Sequence, residues 1–184
     1  MRNFSLEKCA IFIDGGYFNK VLKKYFNNSP VNYLKFSEEI CFELELRRLR
    51  TYFYHCLPFV RGGNKEDEIK HSKMYLFLSK LKRLPRFEVK LGKLQIIGNQ
   101  FKQKMVDVLM SLDIVDMCFD NQIQHVLLVA GDSDFVPAIK KAKSCGAIVH
   151  LFYHPDSVHN RLLDEVDELH IISDELINKC KLEK

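Results

Sequence analysis

An α/β layer sandwich with a mainly parallel sheet is the fold that this sequence predicts, and three observations carry that expectation. Residues 9–13 and 126–130 are short, apolar runs rich in β-branched residues, the pattern of strands buried on both faces. Each is followed within a few residues by apolar positions at intervals of three and four, which is helical spacing. The elements read in this way alternate along the chain as β-α-α-β-α-β-(β)-α-β-α-β-α-β-α, the order of parallel strands joined by helical crossovers.

In chain order, the first strand ends at Asp14-Gly15-Gly16, and Phe18, Val21, Leu22 and Tyr25 mark a helix over 17–26 that Asn27-Asn28-Ser29-Pro30 closes. A second helix is expected from Ser37, as N-cap, through Leu49, and an aromatic, β-branched strand over 51–57. The polar segment PFVRGGNKED, 58–67, reads as an exposed loop. Helical spacing returns over 68–84 until Pro85. Phe87, Val89 and Leu91 alternate with charged residues as a half-exposed edge strand does, and Gly92-Lys93 is expected to turn it back into a strand over 94–97. Residues 104–119 are apolar on nearly every face, which predicts a deeply buried helix. The run 126–130 then stops at Gly131-Asp132-Ser133-Asp134. The helix that follows places Phe135, Ile139 and Ala142 on one side and Lys140, Lys141 and Lys143 on the other. Gly146 closes it, and 147–153 is a further buried strand. A short helix from Asn160, a last strand over 169–172 and a closing helix complete the chain.

The length, 184 residues, suits one domain spanning 1–184, and 47% hydrophobic with 28% charged residues is ordinary for a soluble globular protein. No apolar run is long enough to span a bilayer, and the first residues lack the layout of a secretory signal, so a cytoplasmic protein without membrane contact is expected. Six cysteines without a C-x-x-C pair read as reduced, buried thiols. His150, His154 and His159 suggest zinc by residue type, but no cysteine pair supports them, and no zinc site is expected there.

Charge is unevenly spread. Residues 80–104 hold eight Lys/Arg against Glu88 (8 − 1 = +7), and residues 160–175 hold Arg161 against six acids (1 − 6 = −5). A solvated face and a phosphate-binding surface both fit the basic stretch.

The acids carry the chemistry. Asp14 ends the first strand, Asp107 opens the apolar helix, and Asp132 and Asp134 follow the strand over 126–130. Helix capping explains part of this, because Asp132 or Ser133 can cap and Asp134 or Asp107 can favour the dipole. If the first strand pairs with 126–130, Asp14 and Asp132 meet where ligands bind in open parallel sheets. Carboxylates about 4 Å apart repel by about 4 kcal/mol at an effective dielectric near 20, so such a cluster needs protons or a cation, and Mg²⁺ or Mn²⁺ suits oxygen donors. Asp113 stands in mid-helix on the stripe of Val106, Leu109 and Met117, where it needs either a metal or a structural partner such as a lysine.

Three segments, IFIDGGYFNK, KQKMVDVLMSLD and VLLVAGDSDFVPAIKKAKSCGAIVHLFYH, with a looser LLDEVDELHIIS in the tail, resemble the NYN domain (LabA-like) family of the PIN-like nuclease superfamily. The resemblance implies a three-layer α/β/α sandwich, PIN-like, with a metal-dependent ribonuclease site. It places Asp14, Asp107, Asp132 and Asp134 in the catalytic, metal-holding positions, with Asp113, Asn19, Ser133 and Lys104 as supporting residues. Met105 stands where the family commonly has glycine, and Tyr17-Phe18-Asn19 where it commonly has asparagine-leucine. The expected function is a Mg²⁺- or Mn²⁺-dependent endoribonuclease, its RNA partner, single-stranded or structured, held by Lys82, Arg83, Lys90, Lys140, Lys141 and Lys143. A homodimer stays open. One alternative is an RNA- or protein-binding module with little turnover. A phosphatase-like hydrolase ranks below it, because Gly16 occupies the place of its second acid.

Overall fold

The computed structural model describes residues 6–62, 64–97 and 100–182, the side chains of 93–104 excepted. Strand β1 (Lys8–Asp14) forms the centre, because Cys9 to Ile13 present apolar side chains to both faces and are fully buried. It pairs in parallel with β2 (Arg47–His55) on one side and with β6 (His125–Val129) on the other. With β3 (Phe87–Leu91), β7 (Ile148–Tyr153) and β8 (Glu168–Ile171) the sheet has six strands, all parallel, in the order β3-β2-β1-β6-β7-β8.

Alternation along the strands divides the core in two. One face packs under α1 (Gly15–Tyr25), α2 (Tyr33–Glu43), α3 (Lys65–Lys82) and α7 (Asp174–Lys179) through residues such as Phe18, Phe36, Leu78 and Ile177. The other packs under α4 (Val106–Phe119), α5 (Val136–Ser144) and α6 (Asn160–Leu163) through Met110, Ile114, Ile139 and Leu162. Seven helices among the described residues thus enclose the sheet, a three-layer α/β/α sandwich. None of them is long and apolar enough to cross a membrane.

Several boundaries differ from expectation, each for a local reason. Asn32, not Ser37, caps α2, its side chain accepting from Lys35 N at 3.1 Å, while Ser37 is buried within the helix and donates to the Tyr33 carbonyl at 2.9 Å. That helix stops at Glu43 because Glu45 turns to positive φ, and Arg47 to Leu49 belong to β2. Asn64 caps α3, accepting from Glu66 N and Asp67 N, which starts that helix three residues early. The strand after Gly92, β4 (Lys93–Ile97), does not return along β3 but pairs with a further strand, β5 (Gln100–Lys104), as a separate antiparallel ribbon. Helix α4 begins after that ribbon, at Val106, preceded by Met105 at a left-handed φ of 77°. Nor is α4 buried all round, since Val108, Leu112 and Phe119 are 56%, 55% and 68% exposed.

The chain moves outward from β1 to β2 and β3, then re-enters at β6 on the other side of β1. The carboxyl ends of β1 and β6 therefore flank the switch point of the sheet, where a crevice opens.

Candidate active site

Asp14 is the last residue of β1 and the N-cap of α1. Its Oδ1 accepts from Tyr17 N at 3.0 Å. The tight strand-to-helix corner requires glycine, because a Cβ on Gly15 would lie 2.5 Å from the Phe53 ring and 2.8 Å from the Tyr54 carbonyl oxygen. Burial raises the pKa of Asp14; bonds from the Tyr17 and Gly16 amides oppose this, and the charge of Asp132 adds to it.

Across the switch point, Gly131 makes the matching corner. A Cβ there would lie 2.3 Å from the Tyr17 ring and 2.4 Å from the Ser157 carbonyl oxygen. The Tyr17 hydroxyl accepts from His154 N at 3.0 Å, so this ring is wedged between the two corners. Asp132 then caps a single 3-10 turn, Ser133–Phe135, by accepting from Asp134 N at 3.1 Å. Capping thus occupies one oxygen each of Asp14 and Asp132. Ser133 and Asp134 lie in the turn itself.

Asp107 enters from the first turn of α4, which has no side-chain cap. Its pKa is pushed up to about 6, first by burial and then by the charges of Asp14, Asp132 and Asp134. Four carboxylates from β1, α4 and the turn after β6 therefore share one electrostatic neighbourhood. Cys56, just beyond β2, has its thiol pKa raised by burial and by Asp107 and Asp14.

The cluster lies between two depressions. One, about 510 Å³, is lined by Asp14, Tyr17, Lys20, Lys24, Asp132 and His159. The other, about 430 Å³, has Asp107 and Asp134 on an apolar wall of Val108, Leu112, Val115 and Pro137. Lys20 and Lys24 were not among the expected binding residues, although their spacing from Tyr17 sets all three on one face of α1.

Other expected residues lie elsewhere. Asp113 accepts from the Tyr54 hydroxyl at 2.6 Å and from Lys90 Nζ at 2.7 Å, a structural ion pair that also engages Lys90. Asn19 donates to His55 Nε2 at 3.2 Å and accepts from the Tyr33 hydroxyl at 3.1 Å, so His55 and Tyr33 occupy its amide. Lys82 and Arg83 end α3, before β3 begins, at the opposite end of the sheet from the acids. Lys140 and Lys143 bind the acidic tail segment, at 3.0 Å from Glu165 and 2.9 Å from Asp167. Lys141 is exposed on α5. The Lys104 side chain lies outside the described residues. His150, His154 and His159 do not converge, since His154 stacks on Tyr25 and His159 caps α6.

The donor set at the acids is all carboxylate oxygen, which fits a hard divalent ion. Among the described residues, the one group of three ligand side chains whose ligand atoms lie within 4.8 Å of one another is elsewhere, at His150, Glu168 and His170. The acids are thus spread more widely than ligands around a bare ion. Mg²⁺ tolerates that spread, because it keeps several waters and binds one or two carboxylates together with substrate phosphate.

The sequence profile of the NYN domain family matches residues 8–174. No curated protein matches the chain. Among solved structures, a protein of unknown function from Vibrio parahaemolyticus superposes with a TM-score of 0.64 at 22% identity, covering 99% of this chain and 100% of that one. At that identity the likeness speaks for the fold alone.

Proposed function

The chain belongs to the NYN domain family of the PIN-like superfamily, and from that membership and its four carboxylates we propose that it is a divalent-metal-dependent endoribonuclease. The family is nuclease-like and generally RNA-related. The observation that carries the finer reading is Asp107. Burial and three neighbouring acids raise its pKa, and among the described residues its side chain has no hydrogen bond or ion pair to offset them. A cation supplies what that arrangement lacks.

Asp14, Asp107 and Asp132 would hold Mg²⁺ or Mn²⁺, with Asp134 ligating directly or through water. The bound ion would polarise a phosphate and lower the pKa of a water for in-line attack on phosphorus. The chain's own part is positional. The glycine corners at Gly15 and Gly131 and the wedged Tyr17 fix Asp14 and Asp132, which suits the pre-organisation that catalysis needs. Lys20 and Lys24 line the depression beside Asp14 and would take the RNA backbone, with the apolar wall of α4 on the far side. The whole chain acting as one domain in the cytosol belongs to the same reading, in keeping with six unpaired cysteines.

The decisive experiment incubates purified protein with labelled single-stranded RNA and Mg²⁺ or Mn²⁺. Slow cleavage that EDTA abolishes is expected, and undiminished cleavage in EDTA excludes the metal mechanism. A binding module without turnover is the second reading, favoured by the wide spread of the acids, and retained RNA binding without cleavage on varied substrates would select it.

A further inference from the structure

A second cluster of titratable side chains lies on the sheet face that packs under α1, α2 and α7. His125 of β6, His150 of β7 and His170 of β8 are neighbours across three parallel strands, with successive ring centres 5.2 and 5.4 Å apart. His150 Nδ1 is 3.2 Å from His170 Nε2 and 3.1 Å from Glu168 Oε2, and Glu168 Oε2 is 3.6 Å from His170 Nε2. The three atoms form a nearly equilateral triangle. Zinc bonds of about 2.0–2.1 Å set tetrahedral ligand atoms roughly 3.3 Å apart. The spacing of the three atoms therefore matches one face of a zinc tetrahedron.

Proton accounting points the same way. Glu7 Oε2 lies 2.6 Å from His125 Nε2, and an ionised carboxylate only accepts, so that nitrogen carries the proton. With an uncharged imidazole at His125, its Nδ1 offers a lone pair to His150 Nε2, 2.9 Å away, and His150 Nε2 donates. This leaves the lone pair of neutral His150 on Nδ1, facing the Glu168 carboxylate at 3.1 Å, acceptor against acceptor. A proton on His170 Nε2 satisfies its own contacts but not that one. A cation within the triangle satisfies all three; an extra proton on the His125–His150 pair is the rival that the zinc titration below separates.

We propose that His150 Nδ1, His170 Nε2 and Glu168 Oε2 form a Zn²⁺ site, with a fourth position open to water. Glu168 and His170 are 51% and 26% exposed, so ion and water reach the site from solvent. His125 and Glu7 stand behind His150 as the hydrogen-bonded partners that fix the tautomer of a metal-binding imidazole. Two imidazoles and one carboxylate favour Zn²⁺, whereas the all-carboxylate cluster favours Mg²⁺ or Mn²⁺, so the two sites take different ions. Because its ligands come from β7 and the edge strand β8, the site clips that edge to the sheet.

The test titrates the metal-free full-length chain with Zn²⁺ by calorimetry and with Co²⁺ by visible absorption, which reports tetrahedral geometry. One tight equivalent is expected in the parent and in Asp132→Asn. Binding should weaken at least about a hundredfold in Glu168→Gln and His170→Gln, and about 10–100-fold in Glu7→Gln. Circular dichroism checks the fold of each variant, and the exposed Glu168 supplies a substitution that spares the core. Failure of the parent to take up either ion overturns the proposal. So does uptake that Asp132→Asn abolishes while His170→Gln retains it. Neither result touches the endoribonuclease reading, whose readout is RNA cleavage.

Discussion

Asp107 and Asp113 stand on the same helix and have opposite fates. Asp113 receives the Tyr54 hydroxyl and the Lys90 ammonium, so its charge is answered within the fold. Asp107, six residues earlier, is half-buried, and the charges that act on it, those of Asp14, Asp132 and Asp134, all carry its own sign. A fold has no use for the second arrangement, because uncompensated carboxylates oppose folding. The contrast separates an acid that holds the structure together from one that the structure holds ready, and it can be tested directly.

The largest effect is expected on cleavage. Asp14→Asn, Asp107→Asn and Asp132→Asn should each lose more than the roughly 10–100-fold typical of residues merely outside a metal shell, while Asp113→Asn stays near the parent rate once folded. RNA cleavage rates under saturating Mn²⁺ measure this, and equal losses at 107 and 113 would erase the distinction.

Stability should divide the other way. Asp113→Ala strands Lys90 and Tyr54 and should cost about 1.5–3 kcal/mol in chemical denaturation. Asp107→Asn should cost nothing, and in metal-free protein at pH 7.5 it should melt roughly 2–4 °C above the parent, the shift that about 1 kcal/mol produces in a chain of this size.

That gain should also depend on pH. Asp107 binds its proton more tightly in the folded state, with its pKa raised from 3.8 to about 6. The metal-free parent therefore loses stability as pH rises through that window and recovers it on acidification. His150 acts oppositely, since burial lowers its pKa to about 4, but it is common to parent and variant and drops out of the difference. The melting difference between Asp107→Asn and the parent should shrink towards zero by pH 4, and a constant difference would refute the assignment of the shift to ionisation.

The smallest effect concerns binding. Replacing Lys20 and Lys24 with glutamine should make the salt dependence of single-stranded RNA affinity shallower by about 1.4 in log–log slope, the loss of two phosphate contacts. Replacing Lys82 and Arg83, at the far end of the sheet, should leave the slope unchanged.

Strands were legible where apolar residues face both sides of the sheet, as in Cys9 to Ile13; Asp14, Asp132 and Asp134 stood out because they follow where such runs stop, and Asp107 because it opens an apolar helix. Less could be read where competing local signals decide. Asn32 outcompetes Ser37 as a cap through its position alone, and QFKQK, the sequence of β5, has no apolar alternation to announce a strand. The α4 pattern promised burial all round, but its outer face has no layer above it. Partnerships between distant residues were the least legible. Lys90 reads as an RNA contact until β2, β3 and α4 bring it to Asp113. His150, Glu168 and His170 meet only through the register of β7 with β8, which no spacing along the chain reveals.

The order of the sheet also bears on how the protein is made. Its earliest strand, β1, lies in the centre and pairs with β6, more than a hundred residues later. A growing chain thus carries Asp14 without the other acids until Asp107 is added, and only these two until Asp132 is added. Fragments that stop short of Asp132 therefore lack an acid that the proposed site needs.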